Sequence, residues 1–130
     1  MDIVFLDASV LFSAAYRPKS KFLTLWQMPH IRLVSSPYAV EEARRNLETS
    51  EQRDRLKELL QSVKLSSGLP AEPLPEGVDL PAKDVPILLA AIAIQATHLL
   101  TSDLKHFGPY FWQIIEGVTI LPPAAHLKGK

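Results

Sequence analysis

Ile3-Val4-Phe5-Leu6-Asp7-Ala8-Ser9-Val10-Leu11 opens the chain, and its reading sets the fold class. Ile3 to Leu6 is an apolar run rich in strand formers. Such a run, with no alternating polar residue, reads as a buried strand. It stops at Asp7. Ser9 to Tyr16 then reads as a helix, broken by Pro18, and Ser20 to Gln27 as a second helical piece.

The alternation continues outward. Ile31 to Val34 is a second strand. Ser36-Pro37 marks a helix start, with serine at the N-cap and proline in the first helical position. That helix runs to about Leu47, with Ala39, Val40, Ala43 and Leu47 as its apolar stripe. Thr49 or Ser50 restarts a helix through Leu56, Leu59, Leu60 and Val63. Ser66 to Lys83 is rich in Pro and Gly and reads as a long surface crossover, tacked down by Leu65, Leu69, Leu74 and Leu80. Asp84 to Ala96 is a helix apolar nearly all round, hence buried. His98 to Thr101 is a strand, Leu104 to Phe107 a helical turn closed by Gly108-Pro109, and Val118 to Leu121 the last strand, ended by Pro122-Pro123. Strands alternating with helices imply an α/β fold: a three-layer α/β/α sandwich around a parallel sheet of four to five strands. In such sheets, sites lie outside the carboxyl ends of the strands.

Composition narrows the function. The 130 residues fit one compact domain, 1–130. A content of 47% hydrophobic and 22% charged residues is ordinary for a soluble globular protein. The absence of cysteine excludes disulfides, thiolate metal sites and a cysteine nucleophile. The longest apolar stretch, Val85 to Ile94, is shorter than the roughly 20 residues a membrane span needs. No signal-peptide pattern follows Met1, so the expected location is cytoplasmic. A formal net charge of zero argues against coating nucleic acid by bulk charge, but not against an enzyme that handles it locally.

The chemistry lies in the acids. Asp7 directly follows the first strand, and Asp103 follows the His98–Thr101 strand. Parallel pairing would bring both out at one edge. Glu42 lies in the second turn of the Ser36-capped helix, and Asp84 opens the buried helix. Crowded carboxylates repel, so they take up protons or bind a cation. A hard divalent ion such as Mg²⁺ or Mn²⁺ suits all-oxygen ligands, and phosphodiester hydrolysis is its natural use here. Each acid also has a structural reading. Asp7, Asp84 and Asp103 all stand where an aspartate can cap the helix or turn that follows. Glu41 sits four before Arg45, a common exposed pair, which leaves Glu42, nearer the apolar stripe, to face the sheet edge. Ser9 and Thr101 can orient the acids or cap strand ends. Arg17, Lys19 and Lys21 form a small basic cluster that can hold phosphates or simply be a solvated loop. His106 follows Asp103 by three and reads as a surface histidine. Trp26, Trp112, Phe107 and Phe111 read as core.

These blocks, in this order, resemble the PIN domain family, which includes the VapC-type toxins of toxin–antitoxin pairs. The matching residues are Val4 to Leu11; Ser36 to Glu42 with Leu47; Asp84 ahead of Leu88, Leu89, Ala90 and Ala91; and Thr101 to Phe107. The resemblance implies a Mg²⁺- or Mn²⁺-dependent endoribonuclease that leaves a 5′-phosphate. It implies catalytic acids at Asp7, Glu42, Asp84 and Asp103, with metal at Asp7, Asp84 and Asp103 and hydroxyl support from Ser9 and Thr101. It further implies an RNA substrate, an antitoxin protein partner and a homodimer. Lys105, His106 and Phe107 stand where many relatives carry a further acid or amide, which departs from a two-metal arrangement.

The alternative is a non-catalytic PIN-like scaffold, which has no use for four mutually repelling acids. A haloacid-dehalogenase-type phosphatase wants an aspartate two after the first, where Ser9 stands. A receiver domain wants paired acids after the first strand. A phosphate-cradling P-loop is missing, with no glycine before Gly68.

Overall fold

The computed structural model describes residues 1–67 and 73–128. The elements run β1 (Asp2–Leu6), α1 (Ala8–Tyr16), β2 (Ile31–Ser35), α2 (Pro37–Asn46), α3 (Ser50–Leu59), β3 (Lys64–Leu65), α4 (Val85–Ala93), β4 (His98–Leu100), β5 (Ile114–Ile115), β6 (Val118–Leu121) and α5 (Pro123–Lys128). The sheet order is β3-β2-β1-β4-β6-β5. All neighbours pair parallel except β5 with β6. The fold is an α/β sandwich, a mixed sheet flanked by helices.

β1 owes its central place to its sequence. Val4, Phe5 and Leu6 are fully buried, as a strand covered on both faces requires. The chain first moves from β1 to β2 on one side and later returns to β4 on the other. Such a reversal opens a crevice at the carboxyl ends of the strands. Register sets what meets there. Leu6 pairs with Leu100, so Asp7 and Thr101 are the next residues out, side by side, and the Asp7 N–H donates to the Leu100 carbonyl at 3.1 Å.

The helices form where the local signals place them. Ser36 caps α2 by accepting from the Ala39 N–H at 3.1 Å, with Pro37 following. Ala39, Ala43 and Leu47 are buried. Thr49 and Gln52 form a reciprocal capping box at the start of α3. Leu56 is buried, while Leu59 and Leu60 pack against the core half-buried. α1 packs on both α2 and α3. Ile87 to Ala91 of α4 are all buried.

Several expectations need correction. The sheet has six strands and is mixed, because the two-residue β5 folds back on β6. Glu116 and Gly117 between them take φ of 50° and 85°, the two left-handed positions of a tight hairpin turn. α4 stops at Ala93, short of Ala96. Gln95 takes φ 59°, its N–H donates to the Ile92 carbonyl, and the Ala96 N–H reaches the Ala91 carbonyl, closing the helix as a Schellman motif. Ser20 to Gln27 forms a 3₁₀ helix over Lys21–Gln27. Pro122-Pro123 ends β6 but also starts α5. Trp112 is 68% exposed, whereas Phe107 is buried and Trp26 and Phe111 pack partly buried on the core. In the crossover Leu80 is buried, Leu74 packs on the core and Leu65 is exposed. Leu69 and the His126 side chain lie outside the described residues. Among the described residues, no helix is long and apolar enough to cross a membrane.

Candidate active site

Asp7, Glu42, Asp84 and Asp103 line one open cleft of about 860 Å³ at the carboxyl edge of the sheet, with Ser9, Lys83, Lys105 and His106. Each acid arrives on a different element. The crevice between β1 and β4 gathers them.

Asp7 is 6% exposed and fully engaged. Its Oδ1 accepts from the Ala8 N–H at 2.7 Å, so it does cap α1. Its Oδ2 accepts from Ser9 Oγ at 2.9 Å and Thr101 Oγ1 at 2.7 Å. The same two hydroxyls accept backbone N–H groups from the other strand end: Ser102 to Ser9 Oγ at 3.0 Å, and Asp103 to Thr101 Oγ1 at 3.1 Å. Ser9 and Thr101 thus stitch β1 to the loop after β4 and aim Asp7 and Asp103 into one cleft. Thr101 is fully buried, so these bonds are shielded from water.

Asp84 behaves differently. It occupies the N-cap position of α4, yet its side chain makes no capping hydrogen bond. It is 6% exposed, and its Oδ2 has no hydrogen-bond partner. His106 Nδ1 stands 3.1 Å from that oxygen without the alignment of a hydrogen bond. Lys83 Nζ is 3.7 Å from Oδ1. Lys83 is itself placed from α2, where the Tyr38 hydroxyl donates to the Lys83 carbonyl at 2.7 Å. Burial pushes the Asp84 carboxyl above its ordinary range; Lys83 opposes this, and the charge of Asp103 adds to it.

Asp103 caps the turn that follows it, accepting from the His106 N–H at 3.0 Å. Its Oδ2 lies 2.9 Å from His106 Nδ1. Burial works against its ionisation, but the hydrogen bonds from the backbone and ring of His106 outweigh it and hold this carboxyl below its ordinary range. Glu42 is half-buried, and burial first, then the charge of Asp7, lifts its carboxyl. Glu41 points away, held by Arg44 Nε at 3.0 Å. Its partner is therefore Arg44 rather than Arg45, and Glu42 is the acid in the cleft.

His106 is the residue that the sequence reading passed over. It is partly buried, and its Nδ1 faces both Asp84 and Asp103. The turn capped by Asp103 folds the chain back and lays the ring over the acids. The spacing of three from Asp103 was the only signal. Asp84, Asp103 and His106 each offer one donor atom, and these atoms lie within 4.8 Å of one another. An imidazole nitrogen beside two carboxylates makes a set of three donors from three residues, the minimum a metal ion would need from the chain. The orphaned, buried Asp84 oxygen beside it fits a metal ligand, since a buried polar atom ordinarily finds a partner. Asp7 and Glu42 complete the acidic wall outside this tight group.

No protein-family model and no curated protein matches the chain. Among solved structures, a chain of VapBC2 from Rickettsia felis, determined bound to a DNA fragment from its promoter, superimposes with a TM-score of 0.65 at 16% identity, covering 92% of this chain and 98% of that one. A chain of VapBC-1 from nontypeable Haemophilus influenzae gives a TM-score of 0.59 at 16% identity, covering 94% and 98%. The chain therefore carries a PIN-like α/β fold of the kind found in VapBC complexes.

Proposed function

We propose that this chain is a metal-dependent endoribonuclease of the PIN type, hydrolysing RNA phosphodiester bonds at the acidic cleft. The observation that carries the reading is Asp84: buried, at a helix start it does not cap, with an unpartnered oxygen facing Asp103 and His106. Asp84, Asp103 and His106 would hold a divalent cation, with Asp7 flanking it. Asp7 Oδ1 accepts a single hydrogen bond and so retains acceptor capacity, whereas Oδ2 is filled by Ser9 and Thr101. A nitrogen donor beside carboxylates suits Mn²⁺ better than Mg²⁺, which favours all-oxygen surroundings. Such a cation supplies positive charge for the scissile phosphate and makes water a better nucleophile.

The chain's own residues do the rest. Ser9 and Thr101 are positioning residues that hold Asp7. Glu42, its carboxyl lifted by burial, takes up the proton released at the cleft. Lys83 and Lys105, both lining the cleft, meet the phosphate charge. We read residues 1–130 as one domain, supported by the hydrophobic cluster that joins the sheet and helices among the described residues, and we place it in the cytoplasm. The likeness to chains of VapBC complexes supports a toxin role, restrained by an antitoxin protein; a homodimer as the assembled form is part of the proposal and rests on neither likeness.

The direct test is cleavage of RNA in Mn²⁺ and in EDTA. Asp7→Asn and Asp103→Asn should each abolish metal-dependent cleavage while the circular dichroism spectrum stays native. Cleavage at the wild-type rate in either variant would overturn the assignment.

A further inference from the structure

The acidic cleft is a poor track for a polyanion along its length, because its charged lining is five carboxylates against Lys83 and Lys105. The phosphates flanking the cut need cations elsewhere. A second groove, about 400 Å³, is lined by Phe12, Tyr16, Arg17, Lys19, Lys21 and Phe22. Phe12, Ser13 and Tyr16 line the acidic cleft as well, so the two hollows adjoin. Its floor is aromatic: the Phe12 and Tyr16 rings lie 5.2 Å apart, tilted by 37°. Phe22 closes the far side, with Lys21 Nζ 5.8 Å from its ring centre. All three residues are half-buried and line the groove. Arg17, Lys19 and Lys21 are exposed, and none is paired with a carboxylate among the described residues. By contrast, Arg44 is held by Glu41, and Arg53 and Arg55 donate to backbone carbonyls. Unpaired cations and aromatic rings lining one groove are the two elements of a single-strand platform: charge follows the backbone, and rings stack on bases without reading sequence.

We propose that this groove carries the single-stranded polynucleotide on one side of the scissile phosphate. Bases rest on Phe12, Tyr16 and Phe22, and backbone phosphates meet Arg17, Lys19 and Lys21. The inference rests on the nuclease reading, and deepens it by naming the track that the strand follows away from the cut. A duplex cannot offer base faces to the rings, which favours an unpaired strand.

The test is fluorescence anisotropy with a short, labelled, mixed-sequence single-stranded RNA in EDTA. The matched DNA strand and the RNA duplex serve as comparisons. Wild type should bind both single strands more tightly than the duplex. In the triple variant Arg17→Gln, Lys19→Gln, Lys21→Gln the slope of log affinity against log salt should fall by about 2, at roughly 0.7 per lost phosphate contact. Phe22→Leu, which keeps apolar packing, should weaken binding by roughly tenfold, the scale of one lost stack. Both variants should keep the wild-type Mn²⁺-induced thermal shift, and cleavage should show a raised KM at unchanged kcat. Wild-type affinity and slope in the triple variant would overturn the track while leaving the metal reading intact. No RNA binding by wild type would also overturn it, and would leave the groove to an acidic polypeptide. Loss of the Mn²⁺ shift in wild type would instead count against the nuclease reading.

Discussion

Replacing Asp84 by Asn should stabilise the metal-free protein and remove its response to metal. The signs of these two effects separate a ligand from a cap. In the metal-free chain Asp84 is 6% exposed with an unpartnered Oδ2. An unsatisfied buried polar atom costs about 1–3 kcal/mol, and more when charged. Burial lifts this carboxyl above its ordinary 3.8, with Lys83 opposing and Asp103 adding. For an acid raised in the folded state, the stabilising contribution is present below the unfolded value and is lost as pH rises through the folded one. At neutral pH the ionised carboxylate is therefore a liability, which a neutral amide of the same shape relieves. The nearby Lys83 is more than half exposed and offsets little of this. The variant should gain about 1–2 kcal/mol in EDTA at pH 7, or a few degrees at roughly 2–8 °C per kcal/mol. With Mn²⁺ at a hundredfold its dissociation constant, wild type gains about 2.7 kcal/mol, the variant nearly nothing, and the order reverses. Differential scanning calorimetry in EDTA and in Mn²⁺ reads both effects. A variant less stable than wild type in EDTA would show that the carboxylate holds the start of α4. Equal Mn²⁺ shifts in the two proteins would place the cation elsewhere.

Three further outcomes follow from the same geometry. Thr101→Val keeps the shape but removes the hydroxyl shared by Asp7 and the Asp103 N–H; urea unfolding should show a loss of about 1–3 kcal/mol, and an unchanged midpoint would mean the stitch contributes nothing. Glu42→Gln should become more favourable as pH rises. Burial, then Asp7, raises this carboxyl above 4.5, so its contribution in wild type is present below that pH and is lost as pH rises through the folded value. Metal-free urea midpoints of the two proteins should therefore diverge from pH 4.5 towards neutrality, and parallel curves would refute the linkage. Gln95→Gly should stabilise the chain by roughly 0.5–1 kcal/mol, because φ 59° strains a side chain but not glycine; a lower melting temperature would show that the glutamine side chain offsets the strain.

Much of the scaffold was legible because its signals are local. The apolar run before Asp7, the Ser36-Pro37 start and the all-round apolar α4 each report burial or capping within a few residues. The short elements were not. β3 and β5 have two residues each, too few for any periodicity, and the Glu116-Gly117 turn is a weak hairpin signal beside Asn-Gly or Asp-Gly. α4 ends early through a glutamine in a position where glycine is the usual sign.

The acids themselves were legible as residue types at strand ends and helix starts. Sequence alone determined that Asp7 and Asp103 follow buried strands, that Glu42 sits on the apolar side of its helix, and that Asp84 precedes α4. It left open whether each caps or binds. Only the tertiary structure shows that Asp7 and Asp103 do cap, that Asp84 does not, and that all four acids share one cleft, because the cleft joins atoms far apart in the chain. The pairing of Leu6 with Leu100 sets Asp7 beside Thr101. The turn after Asp103 turns His106 from a surface residue into a neighbour of two carboxylates. Asp84, which the sequence allowed to cap, to bind or to do both, makes no capping hydrogen bond and keeps a buried oxygen with no hydrogen-bond partner, 3.1 Å from His106 Nδ1. Capping is a contact within one turn of helix and can be read along the chain. A cluster able to hold a metal is a convergence in space, and here the sheet register and the closing turn bring Asp84, Asp103 and His106 together.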